Sequence, residues 1–310
     1  MFDFEFESSE FSAEPAHTAS LLTTYGQNPE SVIDPDLLTH IAVWYLEHKN
    51  PHEALGAITR LLALYPASTT GWFLKGLALN ALQRPADARD AFRQHLIYNP
   101  LDADSMVQIG QTYEQTGFPA EAVVTYETAI AADAFHVEAH FRLGWLLEKM
   151  NRYEEAIRHL KACVKYQPEH EEAWHELGFC YEMLEKDACA LYCYEQQLNN
   201  NPYAYLTWYN RGIVLSRMGR LEEAIKSYDF ATVVEENFTA AWYNRGNVLA
   251  RLSRFDEAIV CYQTALNGEP KDAATLYNLA LAYRQKGDLD AFSNYWQQAA
   301  KLNPHLLRHR

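Results

Sequence analysis

Phe238-Thr239-Ala240-Ala241-Trp242-Tyr243-Asn244-Arg245-Gly246 opens the stretch that decides the fold, which runs on through Phe255-Asp256-Glu257-Ala258-Ile259 to Pro270. Trp242, Gly246 and Leu249 are spaced i, i+4 and i+7, one face of a helix with a small residue at its middle. A turn is expected around Ser253-Arg254. A second apolar stripe (Ala258, Ile259, Tyr262, Ala265, Leu266) ends at Pro270, whose ring and missing N–H stop a helix. The two stretches predict a helical hairpin in which Gly246 and Ala258 face each other and let the backbones approach.

The same pattern stands 34 residues earlier as Trp208-Tyr209-Asn210-Arg211-Gly212 with Ala224, Tyr228 and Ala231. The period holds without insertion over most of the chain. The small residue of the first helix falls at Ala42, Gly76, Gly110, Gly144, Gly178, Gly212, Gly246 and Ala280. That of the second falls at Ala54, Ala88, Ala122, Ala156, Ala190, Ala224 and Ala258, then gives way to Phe292. A terminating proline recurs at Pro66, Pro100, Pro168, Pro202, Pro270 and Pro304, with Ala134 and Glu236 in its place twice.

A 34-residue period with this signature resembles the tetratricopeptide repeat. The resemblance covers 35–306 as eight units: 35–68, 69–102, 103–136, 137–170, 171–204, 205–238, 239–272 and 273–306. It implies an all-α, right-handed α-solenoid superhelix of helix-turn-helix repeats. A length of 310 residues alone would suggest two globular domains. The repeat overrides that, because each unit buries its apolar face only against its neighbours.

Composition narrows the function classes. A net charge of −15 argues against nucleic-acid binding, which relies on Lys and Arg to neutralise phosphates. No window approaches the roughly 18 apolar residues a membrane helix needs, and the N-terminus shows no basic residue or apolar core of a secretory signal. The five cysteines, an odd number without framework spacing, read as reduced cytoplasmic thiols. Asn237-Phe238-Thr239 is a glycosylation sequon that stays inert without secretion.

Residues 1–34 differ from the rest, with seven acidic residues and no Lys or Arg. Phe2, Phe4, Phe6 and Phe11 alternate with the acids, a composition typical of flexible segments that dock on partners, and residues 1–13 are expected to be such a tail. Residues 17–34, with Leu21, Leu22 and Tyr25, are expected to cap the first repeat. At the other end only the tail 307–310 follows the repeats. Poor cover over Tyr295, Trp296, Leu302, Leu306 and Leu307 suggests end-to-end association into a homodimer.

Charge is unevenly spread. Repeats three to five carry 17 acidic against seven basic residues, whereas the flanking repeats are balanced. In the family that the chain resembles, first helices line a concave groove. Groove-facing positions include the second, fifth, sixth, ninth, twelfth and thirteenth. The resemblance therefore places Asp104, Glu138 and Glu172 in one acidic row, and Glu114, Glu148 and Glu182 in another. A ligand with basic residues would suit them.

Repeats six to eight carry Asn210, Asn244 and Asn278 at the sixth position, each after a tyrosine: Tyr209, Tyr243 and Tyr277. Arg217, Arg251 and Arg284 fall on the same wall. An amide offers donors and an acceptor together, so a column of Asn can hydrogen-bond an extended peptide backbone without reading its side chains. The column resembles the asparagine ladder in the superhelical repeat domain of O-linked N-acetylglucosamine transferase. The two-carboxylate clamp of chaperone-binding repeats does not fit. Asn247 and Asn278 match it, but Tyr243 stands where a lysine is needed.

No phosphate-binding Gly-rich loop or zinc-protease motif is present, and the glycines come one per repeat, as packing requires. His140 stands at the Trp position and reads as a packing residue. Cys189 and Cys193 lie one helical turn apart, with Cys180 on the partner helix and Cys163 one repeat earlier. A metal or redox site there is the least favoured alternative, because cysteine is also a common small core residue. The reading is a non-catalytic scaffold, without cofactor, that binds a protein or peptide in its groove. Its alternative is an assembly protein acting through self-association.

Overall fold

The structure, a computed structural model, describes residues 15–304. The expected flexible tail at 1–13 and the residues after 304 lie outside that span. Two compact units divide between Leu143 and Gly144, within one helix. The first unit holds α1 (Pro15–Gln27), a 3-10 turn (Pro29–Ser31), α2 (Pro35–Glu47), α3 (Pro51–Leu64), α4 (Thr69–Ala81), α5 (Pro85–Tyr98), α6 (Ala103–Gln115), α7 (Pro119–Ala132) and the start of α8 (Val137–Lys149). The second holds the end of α8, α9 (Tyr153–Tyr166), α10 (Glu171–Met183), α11 (Asp187–Asn200), α12 (Tyr205–Arg217), α13 (Leu221–Val234), α14 (Thr239–Arg251), α15 (Phe255–Gly268), α16 (Ala273–Lys286) and α17 (Leu289–Leu302). There is no strand among the described residues. Each unit is an α-solenoid run of helical hairpins, in which successive helices pack in order, as α2 on α3, α3 on α4 and α4 on α5 in the first, and α9 on α10, α10 on α11 and α11 on α12 in the second.

Local chemistry sets the helix ends. Prolines occupy the first turn of α2, α3, α5 and α7, where a missing N–H costs nothing. Asp34, Ser68, Asp102 and Asp272 accept backbone N–H groups that α2, α4, α6 and α16 would otherwise leave unpaired. Every first helix from α2 to α16 ends in the same left-handed turn. The left-handed residue is a glycine at Gly117, Gly219 and Gly287, but Lys49, Gln83, Asn151, Glu185 and Ser253 adopt it with φ between 56° and 59°. The following N–H reaches back five residues, as from Arg84 to the Leu79 carbonyl at 2.9 Å and from Lys186 to that of Tyr181 at 2.9 Å. This is the Schellman arrangement, which satisfies carbonyls that a helix end leaves free.

Packing corrects one expectation. The small residue of the first helix does not mainly serve the facing alanine. A Cβ at Gly178, Gly212 or Gly246 would sit 2.6 Å from a ring carbon of Tyr194, Tyr228 or Tyr262. The glycine thus makes room for an aromatic ring laid on the helix backbone, and those tyrosines are almost wholly buried. Ala190, Ala224 and Ala258 are buried alongside.

A second recurring bond closes the loops between hairpins. The indole N–H of Trp72, Trp174, Trp208 and Trp242 donates to the carbonyl six residues before it, on Pro66, Pro168, Pro202 and Glu236, at 2.7–2.9 Å. His140 replaces the tryptophan in α8 and places its Nε2 3.2 Å from the Ala134 carbonyl. It is a packing residue, and burial holds its pKa below the usual histidine value. At the start of the chain, Tyr25 and Val32 join the cluster of Leu38, Ile41 and Ile58, with Leu21 and Leu22 packed against it.

Candidate functional site

The first helices stand side by side: α2 touches α4, α12 touches α14, and α14 touches α16. Within each unit these helices carry residues singled out in the sequence.

In the second unit the Asn column is partly buried and knitted across repeats, not projecting freely into solvent. Asn244 Nδ2 donates to the Tyr209 hydroxyl at 3.0 Å. Asn278 Nδ2 donates to the Tyr243 hydroxyl at 3.0 Å and to Asn247 Oδ1 at 2.9 Å. Asn247 Oδ1 also accepts the Tyr262 hydroxyl at 2.9 Å. Tyr209 and Tyr243 therefore orient the next repeat's amide. Asn278 spends both N–H groups this way and keeps its Oδ1 acceptor, whereas Asn244 keeps Oδ1 and one N–H. Asn210 gains no such partner, because the residue one repeat back is His175, not tyrosine. The His175 ring nitrogen sits 3.1 Å from Gln197 and 3.3 Å from Thr207. Tyr277 packs against Trp296 with ring centroids 5.3 Å apart.

The arginines of that wall divide. Arg217 is bound by the Asp187 carboxylate and lies 3.5 Å from Glu182, so its charge is already met. Arg251 donates to Ser216 Oγ at 2.9 Å and to the Ser216 carbonyl at 3.2 Å. Arg284 is exposed, lies over the Phe292 ring at 5.7 Å, and has no ion pair among the described residues.

The acidic rows are less available than their sequence positions imply. Glu114 accepts the Tyr126 hydroxyl, and Glu182 accepts that of Tyr194 at 2.9 Å. Burial pushes the Glu114 carboxyl up, against the effect of the Tyr126 bond. Glu148 is 5% exposed, with Lys149 Nζ at 2.9 Å. Asp104 lies 3.0 Å from His136 Nε2, and Glu138 takes Arg142 Nε at 2.6 Å. Glu172 remains exposed, 3.3 Å from His170 Nδ1.

The first unit holds a feature the sequence reading passed over. A cleft of about 370 Å³ opens on the faces of α2, α4 and α6. Val43, Leu46, Leu74 and Leu77 give it an apolar lining, and Glu47 is its one charged residue. The signal was present in sequence. Leu74 stands at the sixth repeat position, where every later repeat carries Gln, Arg, Glu or Asn, and Leu46 at the twelfth, where repeats three to five carry Glu.

Among the described residues no cluster of three or more His, Cys, Asp or Glu suited to an ion is found. Burial pushes the Cys180 and Cys193 thiols up to about 12, which disfavours the thiolate that metal binding requires.

Two family models match this architecture. That of the tetratricopeptide repeat matches residues 44–105 and 107–157. That of the Cilia and flagella-associated protein 70 C-terminal domain matches 134–310, more than half of the chain. The chain belongs to the tetratricopeptide-repeat family, with 134–310 in the latter domain family. Tetratricopeptide-repeat proteins are generally scaffolds for protein–protein interaction.

Among solved structures, MamA is 25% identical, with a TM-score of 0.52 over 54% of this chain and 97% of that one. The C-terminal part of a TPR protein from Cytophaga hutchinsonii is 14% identical, with a TM-score of 0.66 over 78% and 99%. YrrB, described as a TPR protein with an unusual peptide-binding site, is 20% identical, with a TM-score of 0.57 over 61% and 97%. The last two share the fold. No curated protein matches the sequence.

Proposed function

We propose that this tetratricopeptide-repeat protein is a non-catalytic scaffold that binds an extended peptide along its first-helix wall. The supporting observation is the pre-set amide column of the second unit: Tyr209 and Tyr243 hold Asn244 and Asn278 in place and leave their carbonyl oxygens for incoming backbone N–H groups. Groups fixed before binding lose less freedom when a ligand arrives, which favours affinity. Asn210 extends the column with an amide that no neighbour among the described residues engages. Arg284 adds a cation that has no ion pair among them. Glu114, Glu148 and Glu182 are left out of the contact set because neighbouring side chains already hold them. Free thiols at all five cysteines support a reducing, cytoplasmic setting.

Random-peptide display against the full chain tests this reading. Selected peptides should bind the Asn210, Asn244 and Asn278→Ala protein about tenfold or more weakly, whatever their side chains. Undiminished binding by a variant with wild-type circular dichroism would remove the column from the site.

A second reading, self-association, is favoured by one observation. Ala299 is the one residue α17 buries, whereas every other second helix from α3 to α15 buries at least four. Sedimentation at increasing concentration tests it, and a strict monomer would overturn it.

A further inference from the structure

The cleft between α2, α4 and α6 is not part of the amide column, and its chemistry is different. Its lining is apolar at Val43, Leu46, Leu74 and Leu77, yet four amides line it too, of which Gln108 and Asn80 are the most enclosed. Gln108 is only 7% exposed and makes no side-chain hydrogen bond among the described residues. Asn80 Oδ1 is buried and has no donor. A buried polar atom such as Asn80 Oδ1 left without a partner is costly, so it usually meets a protein atom, a water or a ligand. Around them, the volume of about 370 Å³ lies at the small end of the range for ligand clefts, roughly 300–1,000 Å³. That suits a side chain and its adjoining backbone better than an entire cofactor.

Charge narrows the occupant further. Glu47 is exposed at the cleft and has no ion pair among the described residues. Asn80 Oδ1 needs a donor, so both groups favour a ligand that brings N–H and positive charge. We propose that this cleft receives a large apolar side chain of a partner peptide. The peptide backbone N–H meets Asn80 Oδ1, a backbone carbonyl meets the Gln108 amide, and a neighbouring Lys or Arg pairs with Glu47. This rests on and deepens the reading that first helices bind peptide, and it gives the first unit a side-chain-selecting site of its own.

The test is random-dodecapeptide display on the full chain, with titration of the selected peptides. Ala81 lines the cleft and is exposed, so Ala81→Trp fills the space without entering the core. Selected peptides should share a large apolar residue beside Lys or Arg and should lose at least tenfold in affinity for Ala81→Trp. Gln108→Leu, close in size, should cost about fivefold, as expected for one hydrogen bond. Glu47→Gln should weaken peptides with the basic residue and leave neutral analogues unchanged. Peptides that bind Ala81→Trp like wild type but fail on the Asn210, Asn244 and Asn278→Ala protein overturn the cleft and keep the column. Failure to select any peptide overturns both.

Discussion

Asn244 Nδ2 lies 3.0 Å from the hydroxyl of Tyr209, a residue one repeat and one position earlier. The same bond recurs between Asn278 and Tyr243, so the fifth residue of one repeat orients the sixth of the next. The column is a brace between repeats before it is a ligand surface. In a solenoid, stability is held in such nearest-neighbour contacts.

Tyr209→Phe and Asn244→Ala should therefore each cost about 0.5–1.5 kcal/mol. The double variant should cost clearly less than their sum, because both remove one bond. Urea unfolding of the four proteins checks this. Strictly additive losses would show that the bond is not made in solution.

Gly178→Ala puts a methyl group 2.6 Å from the Tyr194 ring, and overpacking of this kind costs about 1–3 kcal/mol. The first repeat shows the compensating pair, since Ala42 stands there with Ile58 in the ring's place. Tyr194→Ile should recover part of the loss in the Gly178→Ala background, yet destabilise the parent by leaving a cavity. Thermal melts of the three variants separate these effects.

The repeat frame was legible in sequence because periodic small residues and prolines act locally, and each helix starts and stops where its own residues dictate. The identity of the partner across from Gly246 was not, because the ring of Tyr262 reaches it only once the hairpin has closed. The site was legible in part. Position marks a wall, and the Asn residues are on it, but position cannot tell that Glu182 would be taken by Tyr194 or Arg217 by Asp187. Those pairings join residues 12 and 30 apart and depend on how neighbouring helices meet. The cleft at Leu46 and Leu74 was not legible in the same way, because its sign is the local absence of the charges and amides that mark those positions in later repeats.

The left-handed turn offers a stabilising change. Glu185 holds φ at 56°, a conformation that costs a residue with a Cβ roughly 1–2 kcal/mol, while glycine fills the equivalent place at Gly219. Glu185→Gly should stabilise by about 1 kcal/mol or less, since glycine's greater freedom when unfolded offsets part of the gain. Gly219→Ala should do the reverse. A higher urea midpoint for the first and a lower one for the second checks the pair.

The contact between His136 and Asp104 makes stability depend on pH. The hydrogen bond that His136 donates to Asp104 holds the His136 pKa above its ordinary 6.5, with burial opposing. The same bond holds Asp104 below its ordinary 3.8. Stability from His136 is complete below about 6.5 and is lost as pH rises through the raised folded value. That from Asp104 is present above about 3.8 and is lost as pH falls through the lowered one. His140 and His175, held low by burial, act in the opposite sense to His136, so the variant must be compared with its parent. Asp104→Asn should reduce the difference in urea midpoint between pH 5.5 and pH 8 that the parent shows from this pair. An unchanged difference would mean the contact is not formed.

Salt dependence separates the carboxylates that brace the fold from those that meet a ligand. Glu114 and Glu182 each accept a tyrosine hydroxyl. Tyr194→Phe should cost about 1–3 kcal/mol by leaving the partly buried Glu182 without that donor. Glu182→Gln keeps an acceptor and should cost less, though it also loosens the contact with Arg217. Neither change should alter how binding of a basic peptide responds to salt. That response should follow Glu47, which is exposed and has no ion pair among the described residues, because screening weakens exposed charge contacts as the Debye length falls to about 3 Å at 1 M. Glu47→Gln should flatten the salt dependence, whereas contacts to the neutral amides of Asn244 and Asn278 should persist in 1 M salt. If Glu182→Gln, and not Glu47→Gln, abolishes the salt dependence, the acidic row is the ligand surface and its tyrosine partners yield when the peptide binds.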